Sequence, residues 1–246
     1  MRKVALVTGG MGGIGTAVCR RLAAHGMLIA ANCLPGYPRK EAWLADMRAE
    51  GLAVSAAEGD VTELGSCREM VARVKRDLGP VDVLVNCAGI TRDSTFRKMS
   101  AEEWIEVINS NLNAIYNVTR QVVEDMVARS WGRIVSLSSV NGTRGQYGQT
   151  NYAAAKAGIS GFTKALAQEV VKKGVTVNCV SPGYVETEMV RAIRPDVLQS
   201  LIDDIPIGRL ARPEEIAALI GFIASDEAAY ITGANIPING GLHMYG

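Results

Sequence analysis

The chain has 246 residues, 48% of them hydrophobic, with 26 basic and 25 acidic side chains and a formal net charge of +1. That length and apolar content suffice for a sizeable core and exclude a disordered chain, while balanced, scattered charge excludes a face built for nucleic acid or anionic lipid. Five cysteines at wide spacing (Cys19, Cys33, Cys67, Cys87, Cys179) and only two histidines, His25 and His243, support neither a disulfide framework nor a metal site.

The N-terminal stretch MRKVALVTGG reaches glycine after one short apolar run, too short for a signal peptide or a membrane span. A soluble, cytoplasmic protein is expected, with its cysteines packed as small apolar groups. Short apolar runs KVALVT, MLIAANC, VDVLVN, GRIVSLSS and VTVNCVS alternate with longer stretches whose apolar residues recur three and four apart. Continuous apolar strands separated by amphipathic helices predict an α/β fold: one doubly wound domain over residues 1–246, a parallel sheet with helices on both faces. No linker, repeat or low-complexity run divides it.

The first loop, VTGGMGGIG, runs from a strand through Gly9, Gly10, Gly12, Gly13 and Gly15 into an amphipathic helix. Glycines let the backbone approach a ligand closely, and the helix N-terminus offers N–H groups to a diphosphate, so the context predicts nucleotide binding. An acid binding the ribose of NAD is expected about 20 residues on, at the end of the second strand. There AANCLPGYPRKEAW has no acid before Glu41; Arg39 and Lys40 follow Pro38, read as a first helical position. These cations suit a ribose 2′-phosphate, or are two solvated surface charges.

Further along, NLNAIYNVTRQVVEDMVARS carries Leu112, Ile115, Val118, Val122 and Met126 on one stripe. YAAAK then opens a helix capped by Thr150 or Asn151, buried through Ile159, Phe162, Leu166 and Val170, and ended by Lys172, Lys173 and Gly174. Tyr152 and Lys156 are one turn apart on a shared face. An ammonium beside a phenol favours the phenolate, drawing a group of pKa about 10 toward general-acid work. Taken alone, such a pair is more often an amphipathic surface with a buried ring. RPEEIAALIGFIAS places Pro213 at a first helical position with Glu214 and Glu215 in the first turn.

Several separated motifs, in order, resemble the short-chain dehydrogenase/reductase family over nearly the whole chain. TGGMGGIG is similar to its T-G-x-x-x-G-x-G loop, NCAG to its N-N-A-G strand end, Asn111 to its helix asparagine, YAAAK to its Y-x-x-x-K, and Ser139 precedes Tyr152 at the family spacing. The resemblance implies Tyr152 as acid, Ser139 polarising a carbonyl, Lys156 depressing the tyrosine pKa and binding the nicotinamide ribose, and Asn111 holding a proton-returning water. It also implies NADPH/NADP contacts from Gly9, Gly12, Gly13, Ile14, Gly15, Arg39, Gly59, Asp60, Asn86, Ala88, Gly89, Ile90, Tyr152, Lys156, Pro182 and Gly183. Cys87 departs from the second asparagine of N-N-A-G, which implies a local rearrangement of hydrogen bonds. Ser138 is read as a strand-end residue with no chemical role.

Within the family, WGRIVSLSSVNG, GQYGQTNY, VSPGYV and NGGLHM are closer to acetoacetyl-CoA reductases than to 3-oxoacyl acyl-carrier-protein reductases. The latter place a basic residue where Gly12 stands, so Arg39 is left to carry the NADPH preference. The resemblance implies substrate contacts from Asp93, Ser139, Gln146, Tyr147, Gln149, Gly183 and Tyr184, and a lid over residues 185–210 containing Met189, Ile193, Leu198, Leu201 and Ile202, with a core-packed helix pair as the alternative. It implies a small-molecule acyl-CoA substrate, no nucleic-acid or membrane partner, and a homotetramer whose interface AYITGANIPINGGLHMYG could line. Arg129, Lys172 and Lys173 are expected near the pocket mouth, able to meet an acidic carrier or CoA phosphates alike. A catalytically silent nucleotide-binding protein would have lost Tyr152, Lys156 or Ser139, and all three are present.

Overall fold

The structure is a computed structural model that describes residues 2–191 and 194–244, and of Met189 only the backbone. Ile193 and the Met189 side chain, both expected in the lid, lie outside the described residues. Seven parallel strands form one sheet in the order β3-β2-β1-β4-β5-β6-β7. They are β1 (Val4–Thr8), β2 (Leu28–Cys33), β3 (Val54–Glu58), β4 (Val83–Asn86), β5 (Gly132–Leu137), β6 (Val175–Pro182) and β7 (Asn235–Ile238). Between them run α1 (Gly13–Ala24), α2 (Lys40–Ala49), α3 (Leu64–Asp77), α4 (Ala101–Ile108), α5 (Ala114–Ala128), α6 (Asn141–Arg144), α7 (Thr150–Val170), α8 (Glu188–Arg191), α9 (Pro195–Asp203) and α10 (Pro213–Ile223).

Alternate residues of one strand enter opposite layers, as the two-residue period of a strand requires. Ala5 and Val7 of β1 join Leu22 of α1 and Ile216, Ile220 and Ile223 of α10 on one face. Val4 and Leu6 join Met70 and Val74 of α3 and Val118, Val122 and Met126 of α5 on the other. Each fully buried aliphatic side chain contributes about 1.5–3 kcal/mol, so two covered faces hold the sheet.

The five expected strands are β1, β2, β4, β5 and β6. Two more escaped the apolar-run criterion: VSAAE of β3 is only partly buried, and NIPI of β7 is half-buried at the sheet edge. Helix starts also shift. α2 begins at Lys40 with Arg39 as its N-cap, two residues after Pro38. The helix expected from Asn111 continues α4 through a π turn, Asn109–Asn113, into α5. Neither Thr150 nor Asn151 caps α7; Gln149 is its N-cap residue and makes no side-chain cap bond. Pro213 does open α10, and Gly174, at φ 72°, closes the turn after α7.

β1 is the switch point of the winding, with β2 on one side and β4 on the other, and this geometry opens a crevice at the carboxyl ends of the strands. One buried amide pins its floor. Asn32 Oδ1 accepts from the Gly9 backbone N–H (3.2 Å), while Nδ2 donates to the carbonyls of Ala57 (3.1 Å) and Gly59 (2.9 Å). Asn32→Ala strands those groups in an interior where each unmet partner costs about 1–3 kcal/mol. Urea unfolding should show a loss of at least about 2 kcal/mol; an unchanged midpoint would mean that water reaches the site.

Candidate active site

The glycine loop leaves β1 and turns into α1 with little room for side chains at Gly13 and Gly15. A Cβ on Gly15 would collide with the Gly9 carbonyl oxygen, and one on Gly13 would meet the Thr187 methyl at 3.0 Å. α1 opens without a side-chain cap and without an acid in its first turn, so its N-terminal N–H groups are left to an anion. Thr8 Oγ1 accepts from the backbone N–H of Cys87 (3.0 Å) and Ala88 (3.2 Å), fixing the end of β4 to the loop across the crevice.

Along that edge the structure gathers the expected residues. Ala88, Gly89 and Ile90 follow β4, Ser139 follows β5, Pro182 ends β6 with Gly183 after it, and Gly59 and Asp60 follow β3. Tyr152 and Lys156 enter from the first turns of α7. Asn111 projects from the π turn; its Nδ2 donates to the carbonyls of Ile90 and Val107, each at 2.9 Å. Its Oδ1 is buried without a protein partner. A Cβ on Gly89 would collide with that oxygen and stand 3.6 Å from Lys156 Nζ, so only glycine lets the three groups border one small space. The Asn86 amide is buried; its Nδ2 donates to Ser136 Oγ (3.1 Å), and its Oδ1 has no protein partner.

Burial pushes the Tyr152 phenol up to about 12, with neighbouring Ser139 acting in the opposite direction. Burial also draws Lys156 down to about 8. The largest influence on the phenol is its own burial, and Lys156 is not among the others. The Lys156 Nζ lies 5.5 Å from the ring centroid and donates to the Leu137 carbonyl at 2.7 Å, and removal from water dominates both groups. Tyr152 therefore holds its proton at neutral pH, the form a general acid needs. Ser138, read as inert, donates to the Lys156 carbonyl at 2.8 Å and secures α7 against β5.

On the substrate side, Gln149 Nε2 donates to Asp93 (2.9 Å), Arg144 donates to Gln146 (3.0 Å), and its guanidinium lies 3.5 Å from the Tyr184 hydroxyl. Tyr147 stands 86% exposed. The cations expected at the mouth are elsewhere: Arg129 binds Val81 and Asp82 at the start of β4, and Lys172 and Lys173 precede the start of β6. Those are the amino ends of the strands. Arg39 grips Glu188 of α8 through both guanidinium NH2 nitrogens and takes Tyr37 through Nε. In α9 none of the described side chains is fully buried, and Leu198, Leu201 and Ile202 are half-buried, so residues 195–203 form a surface helix and not a core-packed pair.

A family model described as short chain dehydrogenase matches residues 3–198. The chain belongs to the short-chain dehydrogenase/reductase family. It is 54% identical to an acetoacetyl-CoA reductase of Cupriavidus necator, covering 99% of both chains, and 54% identical to nodulation protein G of Azospirillum brasilense, covering 98% of both. A 3-oxoacyl acyl-carrier-protein reductase of Pseudomonas aeruginosa is 43% identical over 98% of both chains. The crystal structure of gox2181 superposes with a TM-score of 0.94 at 32% identity, covering 98% of this chain and 95% of that one. The family uses nicotinamide cofactors, and the residues present fit such a dinucleotide: an uncapped helix N-terminus behind a glycine loop, and an orphaned amide oxygen beside Lys156. Among the described residues no helix is long and apolar enough to cross a membrane.

Sequence reasoning passed over Thr8, Asn32, Asn141, Arg144, Thr187 and Glu188. Each works through a contact with a residue distant in the chain or on another loop, which no local pattern announces.

Buried Lys156 gives the site a measurable signature. Its pKa falls from 10.5 to about 8 on folding, so between those values the unfolded chain binds more protons and stability rises with pH. The penalty is complete below pH 8 and relieved above. Lys156→Met, measured without added cofactor, should raise Tm by roughly 4 °C at about pH 7, and the gain should vanish near pH 10. An equal gain at both pH values would contradict the buried-cation account.

Proposed function

We propose that this protein reduces acetoacetyl-CoA to (R)-3-hydroxybutyryl-CoA with NADPH, in the cytoplasm, supplying polyhydroxybutyrate synthesis. The observation that carries the reading is the placement of Ser139, Tyr152 and Lys156 together at the crevice edge, with a protonated phenol beside Ser139. Full-length similarity to an acetoacetyl-CoA reductase supports the substrate class.

In this reading the nicotinamide supplies hydride to the ketone carbon when bound. Ser139 donates a hydrogen bond to the ketone oxygen and orients it; Tyr152 delivers the proton that converts that oxygen to a hydroxyl. Lys156 passes a proton back toward Tyr152 and binds the nicotinamide ribose, with Asn111 Oδ1 as the polar group that links this path outward. The glycine loop, Gly59, Asp60, the backbone at Asn86, Ala88 to Ile90, and Pro182–Gly183 line the cofactor's course. Asp93, Gln146, Gln149 and Tyr184 surround the thioester, Tyr147 closing over it from solvent, and residues 185–210 act as the lid. Assembly as a homotetramer, with the C-terminal stretch that includes β7 in the interface, belongs to the same reading.

Reduction of a carrier-protein thioester is the second reading, favoured by the 43% relative. Arg129, Lys172 and Lys173 lie on the opposite edge of the sheet and are out of reach of an acidic carrier docked at the crevice. The test compares kcat/KM for acetoacetyl-CoA and for an acetoacetyl carrier-protein thioester. Acetoacetyl-CoA should win by at least about tenfold; a large preference for the carrier overturns the reading. In the same assay Tyr152→Phe should keep cofactor affinity and lose at least about a hundredfold in kcat, the general-acid contribution.

The NADPH preference is assigned to Arg39. Its partner Glu188 is 81% exposed at the side chain, and exposed pairs hold weakly, so a dianionic 2′-phosphate displaces the carboxylate. Arg39→Ala should narrow the NADPH/NADH ratio of kcat/KM, and Glu188→Gln, by removing the competing anion, should widen it. An unmoved ratio in both variants would place the phosphate away from Arg39.

A further inference from the structure

The turn that follows Ser139 holds four side chains in one hydrogen-bonded row. Arg144 Nε donates to Asn141 Oδ1 (3.3 Å), Asn141 Nδ2 donates to Gln149 Oε1 (3.0 Å), and Gln149 Nε2 donates to Asp93 Oδ2 (2.9 Å). A guanidinium has hydrogens and no lone pair to offer; an ionised carboxylate has lone pairs and no hydrogen. With those groups at the two ends, the amides between them have a single arrangement that satisfies every contact. Turning Asn141 alone sets its oxygen against the Gln149 oxygen and its NH2 against the Arg144 guanidinium, two acceptors facing at one end and two donors at the other. Turning both amides sets donors against the guanidinium and an oxygen against the carboxylate. The row has a direction, from cation to anion, and its ends dictate it.

The row ties together three segments that carry the site. Asn141 is 6% exposed, and its backbone N–H donates to Ser139 Oγ at 3.1 Å. That bond occupies a lone pair of the serine oxygen and leaves the serine hydrogen for Tyr152 or a substrate carbonyl. Gln149 is the N-cap of α7, its carbonyl accepting from Ala153 N–H at 2.7 Å, and so it sets the entry of the helix that bears Tyr152. Asp93 belongs to the loop after β4, which is joined to the same turn by Ser94 N–H donating to the Gly148 carbonyl at 2.9 Å.

The geometry points to Asn141 as a positioning residue for the proposed reduction: through a row of fixed polarity running from Arg144 to Asp93, it sets Ser139 against Tyr152 without touching the ketone. This rests on Ser139 and Tyr152 being the acid pair.

A charge-relocating double-mutant cycle tests it, using Asn141→Asp, Asp93→Asn and the two combined, at about pH 8 where carboxyl groups are ionised. Asn141→Asp alone sets two acceptors against each other wherever Gln149 turns, and kcat should fall about tenfold, the coupling expected within one hydrogen-bond network. In the double variant Gln149 can turn round, donate to the new carboxylate at position 141 and accept from the new amide at position 93. Arg144 then still faces an acceptor. The double variant should therefore recover to within about threefold of Asp93→Asn alone, with KM for acetoacetyl-CoA little changed by the substitution at 141. A double variant whose kcat equals the product of the single losses overturns the proposal. Tm values of the four proteins, taken without substrate, should show the same recovery; additive Tm losses overturn it whatever ketone the enzyme reduces. Failure of the wild-type protein to reduce acetoacetyl-CoA would remove only the substrate reading, leaving the Tm cycle to decide on the row.

Discussion

The site depends on shielding two ionisable side chains from water, Lys156 buried and Tyr152 half-buried. Tyr152 and Lys156 sit one helical turn apart on α7, and the packing that buries them shifts both toward their neutral forms, the phenol to about 12 and the amine to about 8. Low dielectric penalises phenolate and ammonium alike. A proton held on oxygen and an amine poised near neutrality suit an acid that must be reloaded after each turnover. A bound dinucleotide enters this pair's surroundings as a further set of dipoles and charges, so the values belong to a site set to respond to its cofactor.

Holding such a pair in the interior requires that every nearby backbone group find a partner, and the polar side chains around it do that. Lys156 donates to the Leu137 carbonyl at the end of β5, and Ser138 returns a bond to the Lys156 carbonyl. Asn111 reaches Val107 and Ile90 because the π turn widens the backbone between α4 and α5. π turns of this kind recur at functional sites, where they free a side chain from regular helical spacing. Gly89 then has to be glycine, since any side chain would occupy the space before Asn111 Oδ1.

Much of the fold was legible because buried strands and amphipathic helices leave periodic traces. β1, β2, β4, β5 and β6 are continuous apolar runs, and α10 carries its Pro213 start in plain sight. β3 and β7 were not legible: at the sheet's edges a strand loses one neighbour, and VSAAE and NIPI are only partly buried. The π turn was read as a helix start, because asparagines before an apolar stripe match a cap equally well. At the site, spacing singled out Tyr152, Lys156 and Ser139 and suggested charge stabilisation along the helix, but burial, the largest influence on both Tyr152 and Lys156, has no local sequence signature. Arg129, Lys172 and Lys173 were misplaced for a related reason: composition does not say at which end of a parallel sheet a loop emerges.

Cys87 illustrates how tertiary structure absorbs a departure from a family pattern. The second asparagine of the strand-end motif is replaced by a thiol, which could have loosened the backbone opposite the glycine loop. The N–H groups of Cys87 and Ala88 are instead held by Thr8 Oγ1 from β1. Burial pushes the Cys87 thiol up to about 12, so it stays neutral and adds no anion beside Lys156. A neutral, half-buried thiol fills the position at little electrostatic cost, and the crevice keeps its shape because its wall is fastened from the neighbouring strand and not by the side chain that changed.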